Sequence, residues 1–221
     1  MPNIIFEDWG IIDYAEAWKK QEELFNKALH QKQSRQTVQN RIVFCEHPHV
    51  ITSGKHADRQ NILFPEEMLD RKGVSFFQTD RGGDVTYHGP GQLVVYPILD
   101  LETFGWGLKQ YIATIEEMVI RLLKDHYGIL SERLPGATGI WLDTENSART
   151  RKICAIGIKS SRYVTMHGLA LNVNTDLSYF SLINPCGFID KGVTSVAREL
   201  NTPQDMNDCK IAFRKTVESI L

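Results

Sequence analysis

A glycine-rich run at residues 81–92, with the sequence RGGDVTYHGPGQ, constrains the fold of this chain more than any other segment. Four glycines and a proline in twelve residues are too many for the interior of a regular helix or strand. Glycine lets the backbone approach a neighbouring molecule without a Cβ in the way, so the run predicts a loop that forms a wall for a thin, extended ligand. The nearly continuous apolar stretch at residues 93–101 follows it and predicts a central strand. A tight turn or a glycine-kinked edge strand is the alternative for the run.

Composition and charge argue against several classes of function. A net charge of −2 with 24% charged residues gives no basic field for nucleic acid, so we expect no nucleic-acid partner. The longest apolar stretches fall well short of the roughly 18 residues that span a bilayer. The first residues lack a basic region followed by an apolar signal core. We therefore expect a cytoplasmic protein without a membrane partner.

The four cysteines, Cys45, Cys154, Cys186 and Cys209, are scattered along the chain without a C-x-x-C pair. This spacing argues against a zinc site, a thioredoxin-type motif or a disulfide framework. We expect reduced thiols, most of them buried as small hydrophobic side chains.

The hydrophobic pattern predicts three helices, at residues 13–31 with Asp13 as N-cap, at 108–126 closed by Gly128, and at 207–220. It also predicts six strands, at residues 41–45, 74–78, 93–101, 139–142, 152–159 and 163–173, with a hairpin turn at 160–162. Residues 50–64 and 174–193 are predicted as irregular connections. Helices that flank a largely antiparallel sheet give an α+β fold. No linker or repeat divides the chain, so we expect one domain over residues 1–221.

Two residues outside the glycine-rich run are candidates for chemistry. Cys186 lies in INPCGF, where a loop can present a thiol and the Gly187 amide can approach a developing oxyanion; a buried structural thiol is the alternative. Free cysteine has a pKa of about 8.5 and needs a partner to form a thiolate near neutral pH. Lys152 opens the apolar segment KICAIG, although a lysine that leads a strand is usually only a solvated end.

Four blocks together resemble the lipoyl(octanoyl) transferase family: the glycine-rich run, residues 152–157, residues 165–173 (TMHGLALNV) and the NPCG segment. The resemblance extends from about His47 to Gly187. It implies a mixed, largely antiparallel sheet flanked by helices, as in the catalytic domain of biotin and lipoate protein ligases. It also implies a catalytic dyad of Cys186 and Lys152, with Lys159 outside the dyad.

The same resemblance implies that three of these segments lie along the acyl chain of the substrate. Each combines small residues with apolar ones, as a narrow acyl channel requires. Burial of an eight-carbon chain at about 0.8 kcal/mol per CH₂ contributes roughly 5 kcal/mol to binding. The implied acyl-binding residues are Arg81, Gly82, Gly83, Asp84, Val85, Thr86, Tyr87, His88, Ala155, Ile156, Gly157, Gly168, Leu169 and Ala170.

The function that the resemblance implies is octanoyl transfer in lipoate biosynthesis. The implied donor is octanoyl-acyl carrier protein. The implied acceptors are a specific lysine of the lipoyl domains of 2-oxoacid dehydrogenases and of the glycine cleavage H protein. The octanoyl group would pass through a thioester on Cys186. Because exchange of one thioester for another is nearly isoenergetic, we expect no ATP, metal or organic cofactor.

Three other functions stay open at this point. An ATP-dependent lipoate or octanoate protein ligase shares the expected fold, but it needs no nucleophilic cysteine and uses a glycine-rich adenylate loop that we do not find. An amidotransferase between two lipoyl domains would keep the Cys-Lys chemistry. A non-catalytic module that binds acyl carrier protein or a fatty acid would use the same groove.

Histidines and basic residues complete the set of candidates. His47, His49 and His56 suggest a metal site, but we expect a structural or rim role, since the family has a similar Glu-His-Pro segment without a metal. His88 and His167 are expected to shape the pocket. The densest basic region is predicted to be a solvated loop face or a surface for an acidic carrier protein, and it contains Arg149, Arg151, Lys152, Lys159 and Arg162.

Overall fold

The computed structural model describes residues 3–184 and 191–221. In these ranges the strands are β1 (Ile4–Ile11), β2 (Asn40–Glu46), β3 (Val50–Ser53), β4 (Ser75–Gln78), β5 (Thr86–His88), β6 (Gln92–Ile98), β7 (Glu132–Leu134), β8 (Ala137–Leu142), β9 (Arg151–Ser161), β10 (Val164–Asn172) and β11 (Gly192–Val193). The α-helices are α1 (Tyr14–Gln33), α2 (Glu66–Arg71), α3 (Leu108–Tyr127), α4 (Val196–Leu200) and α5 (Met206–Ile220). Within the described ranges, no helix combines the length and the apolar character that crossing a membrane requires.

The strands form one large and one small sheet. The large sheet has the order β1-β2-β6-β10-β9-β8-β7, with β11 paired to β9. Its pairs are antiparallel except for β1 with β2 and β11 with β9. The small sheet has the order β4-β3-β5 and mixes one parallel with one antiparallel pair. The predicted α+β fold with a largely antiparallel sheet is therefore confirmed.

The large sheet buries both of its faces, and alternation along β6 separates them. Leu93 and Val95 belong to the main core, which packs against α3 and α5. Val94 and Tyr96 point to the opposite face and pack near Ala17 of α1. Because successive side chains of a strand alternate between faces, β6 contributes to two separate layers of packing.

Local signals in the sequence define the two long helices. The Asp13 carboxylate accepts a hydrogen bond from the Ala15 amide at 2.8 Å and caps α1, as predicted. Gly128 ends α3 in the left-handed conformation, with φ of 68°, also as predicted. The buried residues of α1 recur every three or four positions and are Tyr14, Ala17, Gln21, Phe25 and Ala28.

Several predictions about local structure were wrong or incomplete. The supposed loop at residues 50–64 contains β3, the glycine-rich run that was predicted as a loop contains β5, and β1 was not predicted at all. The β9–β10 hairpin turns at Arg162 and Tyr163 rather than at 160–162, and both residues have positive φ, 49° and 65°. Two consecutive positive φ angles are typical of the two-residue turns whose twist matches that of paired strands.

His47 is a structural residue that joins two parts of the fold. It is fully buried, and its Nδ1–H donates to the Ile12 carbonyl at 2.8 Å. Its Nε2 therefore accepts from the Tyr96 hydroxyl at 2.7 Å. Burial lowers the pKa of His47, so the ring is neutral in the folded protein.

This neutral histidine predicts a loss of stability in acid. Below the pKa of an unfolded histidine, about 6.5, the unfolded chain binds a proton that the folded chain does not. The free energy of unfolding should therefore fall with decreasing pH, by up to about 1.4 kcal/mol per pH unit from this residue. His47→Gln can make the same two hydrogen bonds without titrating, so its stability should fall less steeply. Urea denaturation at several values between pH 7.5 and 5.0 measures both slopes, and parallel slopes would contradict the assignment.

Candidate active site

A cavity lies between the large sheet and the glycine-rich loop. The residues of the large sheet that line it lie on β6, β9, β10 and β11, and the loop contributes residues between 81 and 88. Lys152 and Gly157 both line it from β9; they are five positions apart on the strand, which corresponds to roughly 16 Å. The cavity is therefore elongated along the strands.

The floor of the cavity contains the smallest side chains of the sheet. Ala155 pairs with Ala170 across β9 and β10, and Gly157 pairs with Gly168. All four residues line the cavity, as do Ile156 and Leu169 between them. Two successive cross-strand pairs made only of alanine and glycine leave a trough in a sheet that is otherwise closely packed.

The glycine-rich loop is held against this floor by close backbone contacts. The Gly82 amide donates to the Ile158 carbonyl at 2.8 Å. A Cβ on Gly157 would lie only 2.8 Å from the Gly82 carbonyl oxygen, so the approach of loop and strand requires a glycine there. At Gly168 a Cβ would collide with the Val95 carbonyl oxygen and lie 2.6 Å from Pro97 Cδ. Gly168 is thus also required by the packing of β10 on β6.

Arg81 fixes the loop from within. Its side chain is buried, and one terminal NH2 group donates to the Thr52 carbonyl at 2.7 Å and to the Asp84 carbonyl at 2.8 Å. Arg81 also donates to its neighbour, the Gly82 carbonyl, at 3.0 Å. Several carbonyl acceptors surround one rigid guanidinium, which holds the loop in a single shape.

Twelve of the fourteen predicted acyl-binding residues line the cavity, and Gly82 and Tyr87 do not, as far as the described residues show. Tyr87 faces away from it: its ring belongs to the core of the small sheet, and its hydroxyl shares a 2.7 Å hydrogen bond with His49 Nδ1. Alternation explains this, because Thr86 and His88 on either side of Tyr87 in β5 do face the cavity.

Lys152 lies at one end of the cavity and is buried, which contradicts the alternative of a solvated strand end. Its Nζ lies 4.5 Å from the centre of the Trp141 ring, a cation–π contact. Gly139 is required by the neighbouring backbone, since a Cβ there would lie 2.6 Å from the Cys154 carbonyl oxygen, while Lys152 Cε at 3.5 Å would be in ordinary contact. After the undescribed residues 185–190 the chain returns to this place, because Val193 pairs with Lys152.

Three of the four cysteines are packed in the interior. Cys45, Cys154 and Cys209 are free thiols without solvent exposure. Burial raises the pKa of each of them, to about 11 for Cys209. They are the small hydrophobic side chains that we expected, and none is poised as a nucleophile. The predicted nucleophile Cys186 lies outside the described residues.

A chain of buried polar side chains follows the wall of the cavity. His88 shares a 2.8 Å hydrogen bond with Gln92 Oε1 through its Nδ1. Gln92 Nε2 donates to Asn172 Oδ1 at 2.9 Å, and Asn172 Nδ2 donates to the Thr194 carbonyl at 2.9 Å. Burial, followed by the proximity of His47, lowers the pKa of His88 to about 3, so the ring carries no charge at neutral pH.

A second group of polar side chains lies at the end of the cavity away from Lys152. His167 is buried in β10 with a positive φ of 61°, and its Nε2–H donates to Asp80 Oδ1 at 2.9 Å. This hydrogen bond, together with one from Lys159, holds the pKa of Asp80 well below its usual range. His88 and His167 therefore both shape the cavity wall, as predicted.

The predicted basic region does not form one surface. Arg149 and Arg151 contact Asp143, and Arg151 also forms a bidentate pair with Glu199 at 2.7 and 2.8 Å. Lys159 pairs with Asp80 near the opposite end of β9. Acidic partners thus neutralise most of these cations, and the length of β9 separates them into two groups.

The histidines singled out as a metal site have other contacts. His47 binds the Ile12 carbonyl and Tyr96, and the His49 ring stacks on Tyr179 at 4.1 Å. In residues 3–184 and 191–221, no group of three or more His, Cys, Asp or Glu side chains has the arrangement of a metal site.

Several lining residues were not predicted. Alternation could have found four of them, because Gln92, Val94 and Tyr96 occupy every second position of β6 and Asn172 follows Ala170 by two. Tyr14, Phe180 and Val193 reach the cavity from distant parts of the chain, for which the sequence carries no local signal.

Comparison of folds identifies the architecture. A structure of an archaeal lipoylation system from Thermoplasma acidophilum, a bi-partite lipoate protein ligase and its lipoyl domain, superposes with a TM-score of 0.73 at 12% identity. The match covers 100% of this chain and 84% of that chain. Apo biotin protein ligase from Aquifex aeolicus gives a TM-score of 0.53 at 13% identity, over 100% of this chain and 69% of that chain. The predicted likeness to these catalytic domains is confirmed.

Comparison of sequences is more specific. An octanoyltransferase of Bacteroides fragilis strain YCH46 is 57% identical over 206 residues, which cover 93% of this chain and 92% of that protein. The profile described as the lipoyl protein ligase A/B catalytic domain matches residues 13–218. Taken together with the shared fold, these matches show that the chain belongs to the lipoyl protein ligase A/B catalytic domain family.

Proposed function

We propose that this chain transfers an octanoyl group from octanoyl-acyl carrier protein to a specific lysine of lipoyl domains, through a thioester on Cys186. The chain is an acyltransferase of lipoate biosynthesis, as its octanoyltransferase relatives indicate. The observation that carries the proposal is the elongated cavity, which has Lys152 at one end and a floor of alanine and glycine. Such a cavity fits an unbranched acyl chain with its reacting carbonyl beside the lysine.

The first half-reaction loads the enzyme. The Cys186 thiolate, stabilised by the Lys152 ammonium, attacks the thioester carbonyl of the donor. The bond between the carbonyl carbon and the sulfur of the carrier's phosphopantetheine arm breaks. Lys152 gives its proton to the leaving thiolate, so the products are an acyl-Cys186 thioester, a free carrier thiol and a neutral Lys152.

The second half-reaction transfers the octanoyl group from Cys186 to the acceptor lysine. The amine of the acceptor lysine attacks the acyl-Cys186 thioester, and neutral Lys152 accepts a proton from it. The amide forms, the Cys186 thiolate leaves, and the Lys152 ammonium is restored. Conversion of a thioester into an amide is downhill, so the cycle closes without ATP, a metal or an organic cofactor.

The burial of the other cysteines supports the role of Cys186. Of the four cysteines in the chain, three have buried thiols with raised pKa values and cannot serve as nucleophiles. Their reduced state also fits the cytoplasmic location that we propose, where thiols stay reduced. We further propose that residues 1–221 form one catalytic domain, and that the acceptors are the lipoyl domains of 2-oxoacid dehydrogenases and the glycine cleavage H protein.

The acyl-enzyme is tested by intact-protein mass spectrometry after mixing with octanoyl-acyl carrier protein. Wild type should gain one hydroxylamine-labile octanoyl group that maps to Cys186, and Cys186→Ser should gain none that hydroxylamine removes. Cys154→Ser, a matched change of a buried thiol, should still be loaded. If labelling requires ATP and free octanoate, the transferase proposal is contradicted and a ligase is favoured.

Removal of the lysine tests the second member of the dyad. Lys152→Met keeps much of the side-chain volume and removes the amine, so the rate of Cys186 acylation should fall by about 10²–10⁴, the usual contribution of a positioned proton donor or acceptor. Lys159→Met, on the same strand but outside the cavity lining, should lose less than tenfold. Rapid-quench mass spectrometry measures both rates, and equal losses in the two variants would contradict the assignment.

The length of acyl chain that the enzyme accepts should depend on the middle of the cavity. Ala170 lies there, between Asn172 and Gly168 on β10 and beside Val94 and Tyr96. Ala170→Leu should shorten the trough, so that transfer of octanoyl falls at least tenfold while transfer of butanoyl is retained. Ala15→Leu, at an exposed position of α1, serves as the control and should leave the ratio of the two rates unchanged. A uniform loss for both chain lengths would indicate general damage to the fold instead.

A further inference from the structure

The orientation of the Gln92 carboxamide follows from its surroundings. Gln92 Nε2 lies 3.1 Å from the Tyr87 carbonyl oxygen, which can only accept, so this atom is the amide nitrogen. The same nitrogen has two hydrogens, and the second is donated to Asn172 Oδ1. Gln92 Oε1 then accepts from the Nδ1–H of neutral His88. The donor and the acceptor of each hydrogen bond that links His88, Gln92 and Asn172 are therefore defined.

The same reasoning fixes the carboxamide of Asn172. Its Oδ1 accepts from Gln92, so its Nδ2 is the donor and bonds to the Thr194 carbonyl. An amide nitrogen has two hydrogens, and the second one on Nδ2 has no acceptor among the described residues. Asn172 is only 4% exposed, yet it lines the cavity. A buried donor without a partner costs free energy unless a ligand accepts from it.

Asn172 lies at the Lys152 end of the cavity. Thr194 connects the two residues, because its carbonyl accepts from Asn172 Nδ2 and its amide donates to the Lys152 carbonyl, each at 2.9 Å. The sheet register agrees, since Leu171 pairs with Cys154 and the next residue of β10 is Asn172. The free N–H is therefore close to the place where the reacting carbonyl is expected.

We propose that Asn172 is a catalytic residue, whose Nδ2–H donates to the carbonyl oxygen of the acyl group and to the oxyanion that forms from it. This inference rests on the proposed function, because it uses the acyl carbonyl that the first half-reaction attacks. As the carbonyl carbon becomes tetrahedral, negative charge collects on the oxygen, and the hydrogen bond from Asn172 strengthens. No proton is transferred, and the donor returns to its original state when the carbonyl reforms.

Gln92 and His88 are positioning residues in this arrangement. They occupy the Asn172 oxygen with a hydrogen bond from Gln92 and so fix the nitrogen as the end of the carboxamide that is left to donate. A donor fixed before the reaction needs no reorientation when the charge develops. This positioning role explains why His88 is buried and neutral, and why it contacts no acidic side chain in the part of the chain that the structure describes.

Asn172→Asp is the sharpest test. In its protonated form the introduced carboxyl donates one hydrogen bond to the Thr194 carbonyl and accepts one from Gln92, so it keeps both structural bonds and removes only the second N–H. Because the Lys152 ammonium favours the ionised form, the rate is measured between pH 5 and 8 and compared with that of Asn172→Ala. Asn172→Ala, a second variant, removes the carboxamide without introducing an acid. Asn174→Asp is the matched control, because Asn174 bonds to Gln204 and does not line the cavity.

Two quantities are measured for each folded variant: the rate of Cys186 acylation by octanoyl-acyl carrier protein, and the affinity for a non-reactive S-octyl thioether of the carrier. We expect Asn172→Asp and Asn172→Ala to lose a factor of about 10²–10³ in rate, with the thioether affinity within about threefold of wild type. A thioether has no carbonyl oxygen to bind, so only a donor to the acyl carbonyl oxygen or to the oxyanion formed from it separates the two readouts. Asn174→Asp should change neither.

The other outcomes overturn the inference. A rate within threefold of wild type in either folded variant would show that Asn172 does not contact the oxyanion. Equal losses in rate and in thioether affinity would assign Asn172 to the structure of the cavity alone. If wild type itself forms no thioester on Cys186, both the proposed function and this inference are contradicted. If wild type is acylated and only the variants disagree, the proposed function stands.

Discussion

The antiparallel pairing of β9 with β10 is the constraint on which the rest of the structure depends. It places Ala155 opposite Ala170 and Gly157 opposite Gly168, and so opens a trough in the middle of a closely packed sheet. The same register places Asn172 beside the beginning of β9, where Lys152 lies. A shift by one residue would turn the small side chains to the opposite face, where leucines now fill the core.

Around this trough the protein buries an unusual number of polar groups, and their hydrogen bonds make the wall rigid. Arg81 binds backbone carbonyls of the loop and of β3, and His88, Gln92 and Asn172 bind one another. Burial of such groups is tolerated only when their partners are in place, so the arrangement has few alternatives of similar energy. In the function that we propose, the apolar floor accommodates the chain of the acyl group, while the polar wall orients its reacting end.

The sequence allowed helix ends and other local features to be predicted, but few of the contacts between segments distant in the chain. Asp13 and Gly128 mark the ends of helices through backbone chemistry that acts within a few residues, so these ends could be predicted. The glycines at 157 and 168 and the alanines at 155 and 170 were recognisable by their family resemblance. Strand β1 was not, because it is an edge strand that pairs in parallel with residues 35 or 36 positions further on. Tyr87 was misplaced because a list of neighbouring residues ignores the alternation of β5.

The parallel pairing of β11 with β9 has a consequence for how the active site forms during folding. Val193 must find Lys152 across about forty intervening residues, whereas the β9–β10 hairpin closes through a two-residue turn. Contacts distant in sequence form late, because closing a long loop costs entropy that only later contacts offset. The trough can therefore exist before its reactive end is assembled. A ribosome-bound chain that ends before β11 would hold an acyl-sized groove without the strand that completes the Lys152 end.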